Sequence, residues 1–310
     1  MPSVSLTHLD ELWFQVSGTH CNLTCDHCFI SCSPHNRSFG YLSLSDVQSS
    51  IAQATQEGVR EFYFTGGEPF LNPEMVDILC WTLQHGPATV LTNGTVLKEE
   101  WLAKLQEAEQ QSRYSLEFRL SIDGFSSETN DPIRGDGTFD RAMAGVSLLC
   151  EFGFLPIITA TRVWDEESDL EVLAQFKTVL KAHGYWRPRI KLLPTLQIGA
   201  EENRTRGYLQ HEVVTDTMLS DFDQHNLVCS HSRIVTDRGV HVCPILIESP
   251  DSNLGQSISE SLVPFEIKHG ACYTCYQYGS ICTNASSGNT LSTTEPTVNP
   301  PDTAREDGDT

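Results

Sequence analysis

Apolar and polar positions follow two periods along most of this chain. Residues 12–16, Leu12-Trp13-Phe14-Gln15-Val16, form a short apolar run that predicts a buried first strand. Over residues 43–58, Val47, Ile51 and Ala54 share one helical face, Ser45 and Gln48 fit a capping box, and Gly58 can end the helix. A strand at 61–65 follows, then a helix opened by Asn72-Pro73 and running to about Gln84. Residues 88–91 read as a third strand and 98–110 as a polar helix. Residues 115–122 alternate strictly, with Leu116, Phe118, Leu120 and Ile122 on one side and Glu117, Arg119 and Ser121 on the other, which predicts a fourth strand. A helix at 138–152, a strand at 155–161, a helix at 170–182 and a strand at 189–193, stopped by Pro194, complete the series. Six strands alternating with helices predict an α/β fold with a parallel sheet. Six units are too few for a closed eight-stranded barrel. The expected form is an open, partial, TIM-like barrel.

After about residue 201 the pattern changes. Residues 235–242, with Asp237-Arg238-Gly239 inside, read as a β-hairpin. From 284 to 310 the chain is rich in Ser, Thr, Pro, Gly, Asn and acids, with only Leu291 and Val298 as larger apolar residues, and is expected to be disordered. The expected organisation is a barrel over 1–225, a small hairpin and helix domain over 226–283, and a tail over 284–310.

Composition narrows the function. Acidic residues outnumber basic ones 41 to 20, for a net charge of -21, which argues against nucleic acid as a partner. The first residues are polar and lack a signal-peptide core, and no apolar run is long enough to span a membrane. A cytoplasmic protein is expected, so the clusters among its 11 cysteines point to metal before disulfides.

Candidate chemistry sits where the predicted strands end. After the first comes Cys21-x3-Cys25-x2-Cys28, after the second Gly66-Gly67-Glu68-Pro69, after the third Thr92-Asn93-Gly94, after the fourth Ser121-Ile122-Asp123-Gly124. Barrel active sites are built from those loops. Three thiolates can hold three corners of a four-iron cluster and leave one iron open to a small molecule. With His20 or His27 they could instead form a Cys3His zinc site. Farther on, Cys229, Cys243, Cys272 and Cys275 supply four thiolates from a hairpin and a Cys-x2-Cys, enough for a closed site holding a second cluster or zinc.

The cysteine spacing and the order of these motifs resemble the radical S-adenosylmethionine (SAM) superfamily, and the carboxyl-terminal cysteines resemble its Twitch domain, the shortened form of the SPASM domain. The resemblance runs to about Cys282. It implies a (β/α)6 barrel in which Cys21, Cys25 and Cys28 hold a [4Fe-4S] cluster whose open iron binds SAM. It implies that Gly66, Gly67 and Glu68 bind the SAM ammonium, with backbone carbonyls as acceptors. His27 corresponds to an aromatic residue near the adenine, a loop histidine facing water being the other reading. Ser121 would meet a ribose hydroxyl, and Arg134 the SAM carboxylate, a surface arginine being its alternative. Cys229, Cys243, Cys272 and Cys275 would hold one auxiliary [4Fe-4S] cluster, making two in all. Pro244-Ile245-Leu246 follows the second of these cysteines, where some dehydrogenating relatives carry a carboxylate base.

The implied activity is reductive cleavage of SAM to a 5′-deoxyadenosyl radical that takes a hydrogen atom from a substrate, ending in oxidation or epimerisation. A flavodoxin or ferredoxin would supply the electron. Cys32 and Cys282 are candidate hydrogen-atom donors. The chain begins almost directly with its first strand, leaving no room for the winged-helix leader-binding domain of many peptide-modifying relatives. That favours a small molecule such as a sugar, an aminocyclitol or another secondary-metabolite intermediate. The alternatives are a peptide-modifying maturase and a zinc-stabilised binding protein without redox chemistry.

Overall fold

Six parallel strands stand side by side in sequence order. In chain order the elements are β1 (Ser3–Val4), β2 (Glu11–Gln15), α1 (Leu44–Gln56), β3 (Glu61–Thr65), α2 (Met75–Thr82), β4 (Ala88–Thr92), α3 (Glu99–Gln111) and β5 (Leu116–Ser121). Then come α4 (Ser127–Arg134), α5 (Thr138–Glu151), β6 (Ile157–Thr161), α6 (Asp169–Ala182), β7 (Arg189–Leu193), α7 (Ala200–Arg204) and α8 (Asp216–Leu219). The chain finishes with β8 (Ser232–Thr236), β9 (Gly239–His241), β10 (Asn253–Gly255), β11 (Phe265–Glu266) and α9 (Gly270–Tyr278). The structure, a computed structural model, describes residues 2–164, 168–279 and 281–283, so the expected tail at 284–310 lies outside the described residues.

The main sheet has nine strands in the order β10-β9-β8-β2-β3-β4-β5-β6-β7, and β2 to β7 pair in parallel. It does not close on itself, since β7 and β10 are its two edges. One face packs against the helices. Phe14, Phe64, Val90, Phe118, Leu120 and Ile158 of the strands meet Ile51, Ile78, Leu102, Val146 and Phe176 of the helices, all at 1% exposure or less. Each such residue contributes about 1.5–3 kcal/mol by burial. The other face carries the alternate positions and is the concave interior. There Trp13 and Tyr63 stack with ring centroids 4.3 Å apart, in a cluster with Cys21, Leu23, Cys32 and Ile234. The polar side of the fourth predicted strand therefore faces the barrel interior, and Arg119 is only 2% exposed.

Three features differ from the sequence pattern. The capping box of α1 is Ser43 with Asp46, not Ser45 with Gln48: Ser43 Oγ accepts from the Asp46 N–H at 3.2 Å and Asp46 Oδ2 from the Ser43 N–H at 2.8 Å. The helix starts at Leu44, so the cap sits two residues earlier. α4 was not readable because its buried side chains, Asn130 and Arg134, are polar and it has no apolar face. The carboxyl-terminal hairpin does not stand apart from the barrel sheet: β8 pairs in parallel with β2, matching Leu12 with Arg233 and Trp13 with Ile234.

A second apolar cluster gathers Leu227, Val228, Cys229, Val242, Cys243, Ile245, Phe265, Ile267 and Cys275. No helix among the described residues is long and apolar enough to cross a membrane.

Candidate active site

The loop from β2 to α1 folds over the carboxyl ends of β2 and β3. Gly18, at φ +53°, starts the turn, and the strand-end glycines meet it from below. The Gly67 N–H donates to the Gly18 carbonyl at 2.9 Å, and the Glu68 N–H to the His20 carbonyl at 3.0 Å. A Cβ on Gly67 would lie 2.1 Å from the His20 carbonyl oxygen, and one on Gly66 2.1 Å from Ser17 Oγ. Glycine is needed at both positions because the cysteine loop rests on this backbone.

Cys21, Cys25, Cys28 and Cys32 all line one cavity of about 220 Å³ at that end of the barrel. Cys21 Sγ accepts from the Leu23 N–H at 3.4 Å and from Asn93 Nδ2 at 3.8 Å. Cys28 Sγ accepts from the Cys32 N–H at 3.3 Å. Burial pushes the Cys21 thiol up to about 12 and the Cys25 thiol up to about 11. The Cys32 thiol and backbone N–H groups donating to Cys28 hold that thiol below the usual range, while Cys32 is held above it.

Glu68 is fully buried and does not line the cavity. Its Oε1 accepts from the Phe70 N–H at 3.1 Å and from Thr92 Oγ1 at 2.7 Å, and its Oε2 from the Asn93 N–H at 2.8 Å. The carboxylate thus ties the glycine loop to the end of β4. Burial pushes it up to about 7 against those three donors. Asn93 in turn holds Asn22 by its amide at 2.9 Å and accepts from Thr95.

A buried ionic cluster forms the opposite wall. Asp123 Oδ2 lies 2.7 Å from His27 Nε2 and 2.5 Å from Arg134 Nε, and Asp123 Oδ1 accepts from the Thr161 N–H at 2.7 Å. Burial raises Asp123, but the guanidinium and the imidazole outweigh it and hold the carboxyl well below the usual carboxylate range. The Asp26 N–H donates to the Ile133 carbonyl at 2.9 Å, so the cysteine loop and the end of α4 are also joined by backbone. His27 Nδ1 is buried with no hydrogen-bond partner.

Between these walls Ser121 Oγ lies 3.5 Å from Thr159 Oγ1 on the neighbouring strand, and both line the cavity with Thr161 and Arg119. Ile281 and Cys282 close one side. The structure therefore brings His27, Gly66, Gly67, Ser121, Arg134, Cys32 and Cys282 to the same cavity as the three motif cysteines, while Glu68 stands behind it. Asp123, Asn93, Thr159 and Arg119 carried no assigned role in the sequence. Their signal was position alone, at or just inside strand ends.

Cys229, Cys243, Cys272 and Cys275 line a second, smaller pocket whose other walls are Leu, Val, Ile, Phe and Ala. Burial raises all four thiols, Cys229 to about 12. Arg233 is buried beside them and donates to the carbonyls of Cys229, Ser232, Ser261 and Val263.

A family model described as the radical SAM superfamily matches residues 16–174. Among curated proteins, the AdoMet-dependent heme synthase of Methanosarcina barkeri is 32% identical over 155 residues, covering 49% of this chain and 42% of that protein. The antilisterial bacteriocin subtilosin biosynthesis protein AlbA of Bacillus subtilis is 32% identical over 140 residues, 44% of this chain and 30% of its own. The mycofactocin maturase MftC of Mycobacterium tuberculosis is 27% identical over 165 residues, 53% and 40% of the two chains. The matches thus span less than half the length of these relatives. Among solved structures, native anSMEcpe with bound AdoMet has a TM-score of 0.59 at 18% identity, covering 81% of this chain and 79% of that one. SuiB of Streptococcus suis bound to S-adenosylmethionine has a TM-score of 0.56 at 17% identity, covering 80% and 62%. They share this chain's fold.

Proposed function

The chain belongs to the radical SAM superfamily, and from that premise we propose that Cys21, Cys25 and Cys28 hold its SAM-binding [4Fe-4S] cluster. The observation that carries this reading is the convergence of the three motif cysteines with the glycine loop and the Arg134 network on one cavity. The donor set suits a cluster. Two of the sulfurs already accept N–H hydrogen bonds, and two of the thiols are pushed up by burial, so an iron centre would take the place of their protons. When bound, cluster and SAM together supply a 5′-deoxyadenosyl radical able to take a hydrogen atom from a substrate.

The chain's own residues bind and orient. Gly66 and Gly67 let backbone approach the SAM ammonium, and Glu68, which holds that loop against β4, would keep its carboxylate close to the same ammonium. Arg134, fixed through its Nε by Asp123, would meet the SAM carboxylate. Asp123 also orients His27 beside the third cysteine, where the ring would meet the adenine. Ser121, with Thr159, would meet the ribose. Cys32 and Cys282 both line the cavity and are the candidates for returning a hydrogen atom to a substrate radical. Cys229, Cys243, Cys272 and Cys275, in their apolar pocket, would hold an auxiliary [4Fe-4S] cluster.

The proposed outcome is oxidation or epimerisation of a small molecule, supported by a cavity closed on one side by Ile281 and Cys282. Peptide modification is the second reading, favoured by the relatives named as maturase and as bacteriocin biosynthesis protein. Iron and sulfide per chain after anaerobic reconstitution test the cofactor assignment. Two clusters give about eight irons, falling to about four in a Cys21/Cys25/Cys28→Ala variant. About four falling to none removes the second cluster, and no iron in the wild type removes the whole reading. Substrate is then tested by deuterium transfer into 5′-deoxyadenosine from labelled candidates of both classes.

A further inference from the structure

Among the described residues, no carboxylate stands at ion-pair distance from the buried Arg119 guanidinium. Arg119 lies two residues before Ser121 on β5, so both side chains leave the sheet on the same face, about 7 Å apart along the strand. It ranks among the largest fully buried side chains and lines the main cavity. Its Nη1 donates to the Cys282 carbonyl, and its Nε is buried without a hydrogen-bond partner. Among the described residues, the carboxylates whose charge reaches it are Glu117 and Glu11, neither at ion-pair distance. Glu117 is engaged by Arg189. Glu11 accepts from Trp13 Nε1 at 3.3 Å, and burial pushes it up to about 7, so much of its charge is gone near neutrality.

A second cation stands close by. Lys191 on β7 donates to the Thr283 carbonyl at 2.5 Å, and burial together with the charge of Arg119 brings it down to about 8. Arg119 itself lines the cavity, and Lys191 stands behind it, close enough for the two charges to act on each other. A buried guanidinium with no carboxylate at ion-pair distance is costly, and one with an open N–H in a cavity is shaped for a planar or tetrahedral anion.

We infer that Arg119, with the charge of Lys191 behind it, binds an anionic group of the substrate, a carboxylate or a phosphate, in the cavity below Ser121 and Thr159. This rests on the radical SAM reading and adds a charge requirement to it: neutral sugars and cyclitols are disfavoured, and their acids or phosphate esters are favoured. Arg134 sits across the cavity at the cysteine loop, so the two guanidiniums would separate the SAM carboxylate from the substrate anion.

The test uses reconstituted, SAM-saturated holoenzyme titrated calorimetrically with glutarate, with inorganic phosphate and with neutral glutaramide. At least one anion is expected to bind saturably and glutaramide not at all. Arg119→Gln is expected to weaken the anion at least tenfold, Arg119→Lys to weaken it less, and Lys191→Gln to weaken it severalfold. Glutarate alone would indicate a carboxylate substrate, phosphate alone a phosphate ester. Binding of neither anion, equal binding by Arg119→Gln and wild type, or equal binding of glutaramide would overturn the inference. If Arg119→Gln does not fold, the Lys191→Gln arm decides in the same way. Substrate-free SAM cleavage by the wild type, with dithionite as the one-electron reductant, is measured in parallel. A chain that cleaves SAM but ignores both anions refutes this inference alone, and one that binds anions but never cleaves SAM refutes the function reading alone.

Discussion

Gly67 shows how much a single missing side chain supports. Its backbone N–H holds the Gly18 carbonyl, and a Cβ there would sit 2.1 Å from the His20 oxygen and 2.7 Å from the Cys21 nitrogen, both backbone atoms that cannot rotate away. Gly67→Ala must therefore displace the cysteine loop. We expect a loss of about 1–3 kcal/mol, as for other overpacked sites, together with loss of most iron at the first site. Denaturant titration and iron analysis check both, and a wild-type iron count in a destabilised variant would separate the packing role from the cluster role. At this scale the sequence was legible where a residue type has one chemical use. Three cysteines at that spacing and two adjacent glycines announced themselves. Asn93 and Asp123 did not, because an amide or a carboxylate at a strand end has many uses. Their work is set by which atoms face the Cys21 sulfur and the Arg134 guanidinium. Glu68 was legible as part of the motif, but its burial beneath the loop, with all three of its donors from the protein, was not.

At the scale of elements, the strands β8, β9 and β10 bury a histidine that titrates below its ordinary range. His241 on β9 is 3% exposed, its Nδ1 is 2.8 Å from Ser252 Oγ, and its Nε2 has no partner. Burial lowers it from 6.5 to about 4, so between those pH values the unfolded chain binds a proton that the folded one refuses. Stability contributed by the neutral ring is complete above about pH 6.5 and is lost as pH falls towards 4, by about 3 kcal/mol in all. Amide-exchange protection of β8 to β10 should therefore fall between pH 7 and pH 5 in the wild type and fall less in His241→Asn, where the half-buried His231 beside β8 is left as the remaining lowered imidazole. Equal pH slopes in the two proteins would remove His241 as the cause. The hairpin's turn was readable from Asp237-Arg238-Gly239, and the six parallel strands from their apolar runs, because both signals are local. The parallel pairing of β8 with β2 was not, since it joins residues more than two hundred positions apart and depends on which sheet edge is left open. Arg119 lay between: alternation put it on the polar side of its strand, but only the curvature of the sheet makes that side an interior.

For the whole molecule, the pairing of β8 with β2 decides how the four-cysteine region relates to the barrel. A boundary after residue 225 separates two regions by composition, yet the sheet crosses it, and Val235, Val240 and Ile258 belong to the same core cluster as Phe14 and Phe64. Removing 226–310 would strip β2 of its neighbour from Glu11 to Phe14 and expose that edge, where unpaired backbone groups invite aggregation. It would also remove the Cys282 and Thr283 carbonyls from Arg119 and Lys191, leaving both cations in the interior with fewer partners. A chain ending at residue 225 is accordingly expected to be insoluble or to unfold without a cooperative transition, whereas the full chain should melt in one. The calorimetric trace of the full chain and the solubility of the truncated one check this together. A soluble, cooperatively folding 1–225 fragment that still takes up about four irons would show that the first site is built by the barrel strands alone. The expected failure would instead mean that the carboxyl-terminal cysteines and the SAM site rest on one continuous sheet, so that metal uptake in one region steadies the scaffold of the other.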